Sequence, residues 1–187
     1  MGFHTFDSDR ADKLEDAAAR YRYCSREELH ALVAPHSGMR LADLGSGTGF
    51  YTDDLAPHVD AAYAVDVQAA MHDHYREKGV PEGVELIEAD AADLPFDADE
   101  LDAVVSTNTF HEFADPESLA EVARVLRPGG RLVTVDWDRN GAGEAGPPRD
   151  ETYALGDAIA LQTDAGFAIE RVDTRPETFV CVARLDD

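Results

Sequence analysis

The chain has 187 residues, 44% of them hydrophobic, which suits one globular domain with a filled core and argues against wholesale disorder. Lys and Arg number 16 against 39 Asp and Glu, a formal net charge of −23, and Lys13 and Lys78 are the only lysines. That field repels phosphate backbones and anionic lipid, so neither nucleic acid nor a membrane is an expected partner.

The acid is spread along the chain and includes Asp53-Asp54 and 97–102. A dispersed acidic, Lys-poor surface keeps a protein soluble in strong salt, so a halophilic source is expected. No apolar run approaches the ~18 residues that cross a bilayer. The opening MGFHTFDSDRADKLED lacks a basic-then-apolar leader pattern, and a cytoplasmic location is expected. Cys24 and Cys181 share no metal or dithiol spacing.

In chain order, Ser8 starts an expected helix that runs through Ala17-Ala18-Ala19 to Tyr21. Ser25 and Glu28 form a capping box before a second helix, Glu27 to Ala34, which Pro35-His36-Ser37-Gly38 stops. Strands and helices then alternate. Arg40–Leu44 is a strand, Gly49 to Ala56 a helix, Ala61–Val67 a strand and Ala69–Lys78 a helix. Val84–Glu88 and Leu101–Ser106 are strands. Asp115-Pro116 caps a helix to Leu126, and Pro128-Gly129-Gly130 turns it into the strand Arg131–Asp136. Asn140–Pro148 is a flexible stretch. A helix from Asp150 to Asp164 precedes two closing strands, Phe167–Asp173 and Phe179–Arg184. Alternation at this spacing implies a parallel sheet covered on both faces, with an antiparallel terminal hairpin.

The strongest local signal is Leu41-Ala42-Asp43-Leu44-Gly45-Ser46-Gly47-Thr48-Gly49-Phe50: a strand, an acid, then three glycines leading into a helix. Such a loop lets a ligand approach main-chain atoms at a helix N-terminus that presents unpaired N–H groups. A dinucleotide loop reads GxGxxG, and here Phe50 stands where its third glycine would be. Asp43 would oppose a pyrophosphate and suit an ammonium group. Asp66 ends the second strand, close to the ~20-residue offset of a ribose-binding acid. Together the two acids point to a nucleoside with an amino-acid end.

These segments resemble the class I S-adenosylmethionine-dependent methyltransferases. So do Glu88-Ala89-Asp90-Ala91-Ala92-Asp93-Leu94-Pro95-Phe96, Leu101–Ser106 and the turn Val125-Leu126-Arg127-Pro128-Gly129-Gly130-Arg131-Leu132. Val135-Asp136-Trp137, Gly146-Pro147-Pro148 and Ala165-Gly166-Phe167 resemble the small subgroup of ubiquinone/menaquinone-biosynthesis-like (type 11) enzymes. The likeness spans about residues 37–185. It implies a Rossmann-like three-layer α/β/α sandwich whose seven-stranded sheet has order 3-2-1-4-5-7-6 with strand 7 antiparallel. It also implies S-adenosylmethionine as methyl donor and S-adenosylhomocysteine as product. The cofactor residues it implies are Asp43, Gly45, Ser46, Gly47 and Gly49 at the methionine end, Asp66 at the ribose, Val67, Asp90 and Ala91 at the adenine, and Asn108 near the methyl. The organisation expected is one domain over 1–187, with 1–36 as an N-terminal helical segment or lid and 37–187 as the cofactor-binding core.

Methyl transfer depends mostly on alignment, and a base is needed only when the acceptor carries a proton. The loop Thr107–Phe113 is where such a base belongs. His111 is the first choice because its ordinary pKa lies near neutrality, and Glu112 stands ready to orient it or bind a cationic acceptor. Trp137 is a wall of the acceptor pocket, and Tyr51 a contact for the methionine carboxylate. His72, Asp73 and His74 fall on different helix faces, and Asp136 with Asp138 lacks a third carboxylate, so no metal is expected. The function expected is methyl transfer to a small molecule. The rivals are a non-catalytic S-adenosylmethionine-binding or S-adenosylhomocysteine-binding protein and, less favoured, a nicotinamide-dependent oxidoreductase. The oligomeric state is not legible.

Overall fold

The computed structural model describes residues 6–186; residues 1–5 of the expected N-terminal segment, and residue 187, lie outside them. Seven strands form one sheet: β1 (Arg40–Leu44), β2 (Ala61–Asp66), β3 (Val84–Glu88), β4 (Leu101–Thr107), β5 (Leu126–Trp137), β6 (Phe167–Thr174) and β7 (Thr178–Leu185). Their order is β3-β2-β1-β4-β5-β7-β6. The pairs β1–β2, β2–β3, β1–β4 and β4–β5 are parallel, while β7 runs antiparallel to both β5 and β6. This is the three-layer α/β/α architecture that the resemblance implied.

The helices are α1 (Ala17–Tyr21), α2 (Arg26–Val33), α3 (Phe50–Leu55), α4 (Ala69–Lys78), α5 (Phe110–Phe113), α6 (Pro116–Val125) and α7 (Leu155–Asp164). Alternate residues of a strand face opposite sides, so the sheet sorts its apolar side chains into two cores. Leu41, Ala103, Val105, Val133 and Val135 join Leu29, Leu32, Val33, Tyr51 and Leu55 of α2 and α3 on one face. Ala42, Leu44, Val65, Val104 and Leu132 join Leu119, Val122, Val125 and Phe167 on the other.

Four elements differ from the sequence reading by more than a residue at an end. The first expected helix breaks in two: Ser8–Glu15 is a 3-10 segment, and α1 restarts where Asp16 Oδ1 accepts the N–H groups of Ala18 and Ala19 at 3.1 and 3.2 Å. Phe110–Phe113, read as loop, is the short helix α5, fixed by burial of Phe110 against Phe113 and Tyr153. Strand β5 begins at Leu126 instead of Arg131. Its pairing jumps from Leu101↔Leu126 to Ala103↔Arg131, so the Arg-Pro-Gly-Gly turn is an excursion inside the strand, with Gly129 at φ +75°. The helix expected from Asp150 shortens to Leu155–Asp164, because Arg139 N–H bonds Tyr153 O at 3.0 Å and holds that stretch extended.

The chain leaves β1 toward β2 and β3 on one side, and β4 and β5 lie on the other. That reversal opens a crevice at the carboxyl ends of β1 and β4, where open α/β sheets bind ligands.

Candidate functional site

A cavity of about 830 Å³ occupies this crevice. Its walls come from the glycine loop, the ends of β2 and β4, the start of α5, Trp137 and Gly146–Pro148. Phe6, Arg10 and Leu14 of the N-terminal segment complete it.

Gly45, Gly47 and Gly49 all sit at positive φ, +72°, +55° and +80°. A Cβ on Gly45 would lie 2.1 Å from Thr109 Cγ2, and one on Gly49 would lie 2.0 Å from the Tyr75 ring. These two glycines therefore serve close packing beneath the loop as well as the turn itself. The loop's N–H groups are engaged within the protein. Gly45 and Ser46 donate to Val65 O at 2.9 and 3.0 Å, Gly49 donates to Ser46 O at 2.9 Å, and Gly47 donates to Asp66 Oδ2 at 2.8 Å. The turn folds back on β2, so these four donors are used inside the protein, and the N–H groups available to a ligand are those of the first turn of α3 behind it.

Asp66 is buried and accepts one backbone N–H on each oxygen, from Gly47 and, at 2.9 Å, from Gln68. Burial raises its carboxyl above the ordinary value, against the pull of these two donors. Each oxygen keeps a further lone pair, and the residue lines the cavity. Next to it Val67 is 52% exposed, an uncovered aliphatic face on the cavity wall. Asp90 and Ala91 line the same end, with Asp90 Oδ1 accepting Ala92 N–H at 2.9 Å.

Asp43 is placed differently from the expectation. It is enclosed behind the loop and is not a wall residue. Thr52 Oγ1 donates to its Oδ2 at 2.7 Å, and its Oδ1 has no hydrogen-bond partner among the described residues. Burial pushes its carboxyl up to about 6, although Thr52 and the positive charge of Arg20 pull it down. Arg20 does line the cavity. Its guanidinium lies 4.7 Å from the Tyr51 ring centroid, and its Nε is buried without a partner among the described residues. Tyr51 is not a wall residue either: it is buried, and its hydroxyl donates to Arg20 O at 2.8 Å, so it anchors α1.

The loop after β4 brings Asn108, His111 and Glu112 to the cavity. Asn108 takes the left-handed conformation, φ +61°, while its N–H bonds Val135 O at 2.7 Å. Both polar atoms of its side chain are buried without a partner among the described residues. Ser46 Oγ is in the same condition. His111 is buried against Asp136, the fully enclosed acid near the end of β5. Asp136 Oδ2 accepts the His111 backbone N–H at 2.6 Å, and Nδ1 of the ring lies 3.0 and 3.1 Å from the two carboxylate oxygens. Burial pushes the imidazole pKa down, but the carboxylate outweighs it and the net shift is upward. Glu112 is pushed up to about 7 by burial, opposed by His111.

Trp137 stacks edge-on against Tyr23 at 4.7 Å, and Gly146 packs so close that a Cβ there would meet the indole at 2.5 Å. The N-terminal segment is tied across the glycine loop. Thr48 Oγ1 donates to Glu15, Lys78 Nζ reaches Glu15 at 3.1 Å, and Gln68 Nε2 donates to Phe6 O at 3.1 Å. Asp73 pairs with Arg76, and Asp138 accepts the N–H of Asn140. Among the described residues no group of three His, Cys, Asp or Glu side chains could hold a metal.

A family model described as a methyltransferase domain matches residues 42–134. A demethylmenaquinone methyltransferase of Clavibacter sepedonicus is 38% identical over 107 residues, 56% of this chain and 44% of that protein. An uncharacterised methyltransferase of Mycobacterium tuberculosis is 36% identical over 156 residues, 81% of this chain and 58% of that one. The crystal structure of an S-adenosylmethionine-dependent methyltransferase from Aquifex aeolicus superposes with a TM-score of 0.86 at 28% identity, over 97% of this chain and all of that one. The chain is related to the class I S-adenosylmethionine-dependent methyltransferases of the type 11 group. It spans less than two thirds of the length of these two curated relatives.

Four residues of this methyltransferase-like site had roles that the sequence did not show. Arg20 sits in a short helix with no motif of its own, and only the packing of α1 over the loop brings it to the cavity. Asp136 was weighed as a metal ligand, and its partner His111 is 25 residues away. Thr109 and Tyr75 explain two glycines, and no periodic pattern connects them to the loop.

Proposed function

We propose that this chain transfers a methyl group from S-adenosylmethionine to a small-molecule acceptor. The observation that carries the reading is the donor and acceptor set around the cavity. The N–H groups of Gly45, Ser46, Gly47 and Gly49 are committed inward, whereas Asn108, Asp66 and Arg20 offer unsatisfied polar capacity to the cavity. A ligand with ribose hydroxyls and an amino-acid end matches that set, and a pyrophosphate does not. When bound, the sulfonium supplies an activated methyl group. Asp66 accepts the ribose hydroxyls, Val67 covers the adenine, and Asp90 with Ala91 meets its edge. Arg20, Asn108 and the turn of Gly45, Ser46, Gly47 and Gly49 hold the methionine end. Asp43 acts from behind the loop as the counter-charge to Arg20.

The acceptor lies between His111, Glu112, Phe113 and Trp137. His111 removes its proton, and Glu112, poised near neutrality, sets the charge of that chamber. The N-terminal segment acts as a lid that keeps water from the reacting atoms. The name of the Clavibacter sepedonicus relative, a demethylmenaquinone methyltransferase, supports a small acceptor. The dispersed acid serves solubility at high salt.

Calorimetric titration with S-adenosylmethionine, S-adenosylhomocysteine and NADH tests the site. Labelled-methyl transfer to a metabolite pool tests turnover. Tight NADH binding without S-adenosylmethionine binding sinks the proposal. Binding without transfer to any acceptor leaves a non-catalytic binding protein instead.

A further inference from the structure

We infer that Asp136 is a positioning residue that fixes His111 as the Nδ1–H tautomer and so makes Nε2 the proton acceptor facing the methyl acceptor. The inference rests on the methyl-transfer reading above and adds to it a residue, a tautomer and a class of acceptor.

An ionised carboxylate can only accept hydrogen bonds. Both oxygens of Asp136 lie within 3.1 Å of His111 Nδ1, so this nitrogen carries the proton. The same carboxylate accepts the His111 backbone N–H at 2.6 Å, which locks the start of α5 and the ring to one anchor. Nε2 has no hydrogen-bond partner among the described residues, the side chain keeps 6% exposure, and the residue is a cavity wall. The remaining lone pair therefore belongs to the edge of the ring that reaches the cavity. Asp136 itself is held between two strands, by pairing of β5 with β7 at Asp136↔Phe179 and by the end of β4 at Thr107↔Val135. A base on a fully buried mount loses little to side-chain disorder.

The arrangement selects an acceptor with a dissociable proton, an O–H or an N–H. The acceptor's bond to hydrogen breaks, its electron pair stays on the acceptor, and an Nε2–H bond forms. The resulting imidazolium keeps its charge against Asp136 until the proton leaves to solvent. The freed pair would form the bond to the methyl group as the methyl–sulfur bond breaks and its pair stays on the thioether sulfur; the positive charge that arrives on the sulfonium leaves as this proton, so atoms and charge balance. An acceptor with no such proton would leave Nε2 idle.

Three acids bear on the ring: Asp136 from β5, Glu112 from α5 and Glu151 from the turn before α7, and all three raise its proton affinity. Asp136 is the one in direct contact, so its neutralisation should move the titration most.

The test is nitrogen-15 NMR of histidine-labelled protein, with His111→Gln to assign the signal and Asp136→Asn as the probe. In the wild type, Nδ1 should read as protonated and Nε2 as unprotonated in the neutral form, with a midpoint above 6.5. In Asp136→Asn the midpoint should fall below the wild-type one, because the neighbouring negative charge is gone. The acid limb of kcat should move with it, while KM for the donor stays within about twofold. A wild-type ring protonated on Nε2, or identical titrations in both proteins, would overturn the inference. The wild-type spectrum decides the tautomer even if Asp136→Asn does not fold. Absence of methyl transfer would refute the functional reading instead, and the tautomer would still be readable.

Discussion

Asp43→Asn should make the cofactor-free protein more stable above neutral pH. The carboxyl is enclosed behind the glycine loop with one oxygen unpartnered, and burial raises it from 3.8 to about 6. A group whose folded value is raised binds its proton more tightly when folded. Its stabilisation is fully present below the unfolded value and is lost as pH rises through the folded value. The displacement from 3.8 to about 6 is worth about 3 kcal/mol. An amide has the same shape and no such titration. It also removes the counter-charge of Arg20 and turns an N–H toward the unpartnered position, which reduces the gain to about 1–3 kcal/mol. Chemical unfolding followed by circular dichroism from pH 4 to 8, at constant salt, reads the difference. The gap between variant and wild type should open between pH 4 and 7 and stay constant above. Parallel curves, or a variant less stable at pH 8, would refute the reasoning. A charge kept in such a place against stability is the pattern of a functional group, so the same variant should also bind S-adenosylmethionine less tightly.

Asp66→Ala should lower S-adenosylmethionine affinity by about 1.5–3 kcal/mol in calorimetry. It should also destabilise the cofactor-free protein, because the buried Gly47 N–H loses its acceptor; unchanged affinity would remove the ribose assignment. Gly49→Ala should lower stability by about 2–5 kcal/mol, since the new Cβ would stand 2.0 Å from Tyr75 at φ +80°. A melting temperature within a degree of wild type would contradict that packing. Raising potassium chloride from about 0.1 to 2 M should raise the melting temperature by screening a net charge of −23. Indifference to salt would count against an acidic surface adapted to salt.

Much of the architecture was written in local pattern. Ala69–Lys78 and Val84–Glu88 have the bounds that the sequence suggested, because apolar period and the Gly and Pro punctuation are local properties. Ser25 caps α2 by accepting the Glu28 N–H, but the other half of the expected capping box does not form, because the Glu28 carboxylate pairs with Arg175. The three glycines of the loop take the positive φ that their spacing implied. Elements failed where a distant contact decided the local conformation. Arg139 of the segment after β5 holds Tyr153 extended, and Asp138 bridges to the same residue, so a helical-looking stretch starts late.

The amino-acid order alone determined that the chain alternates strand and helix, that a glycine turn follows β1, and that acids end β1 and β2. These depend on neighbours a few residues apart. It did not determine that Asp43 would stand behind the turn, that Arg20 would reach the cavity in its place, or that Asp136 would grip His111. Each of these joins residues separated by 23 or 25 positions. Only the closing of the sheet and the laying of α1 across it bring them within reach, because charge and hydrogen-bond geometry act through space and carry no trace along the chain.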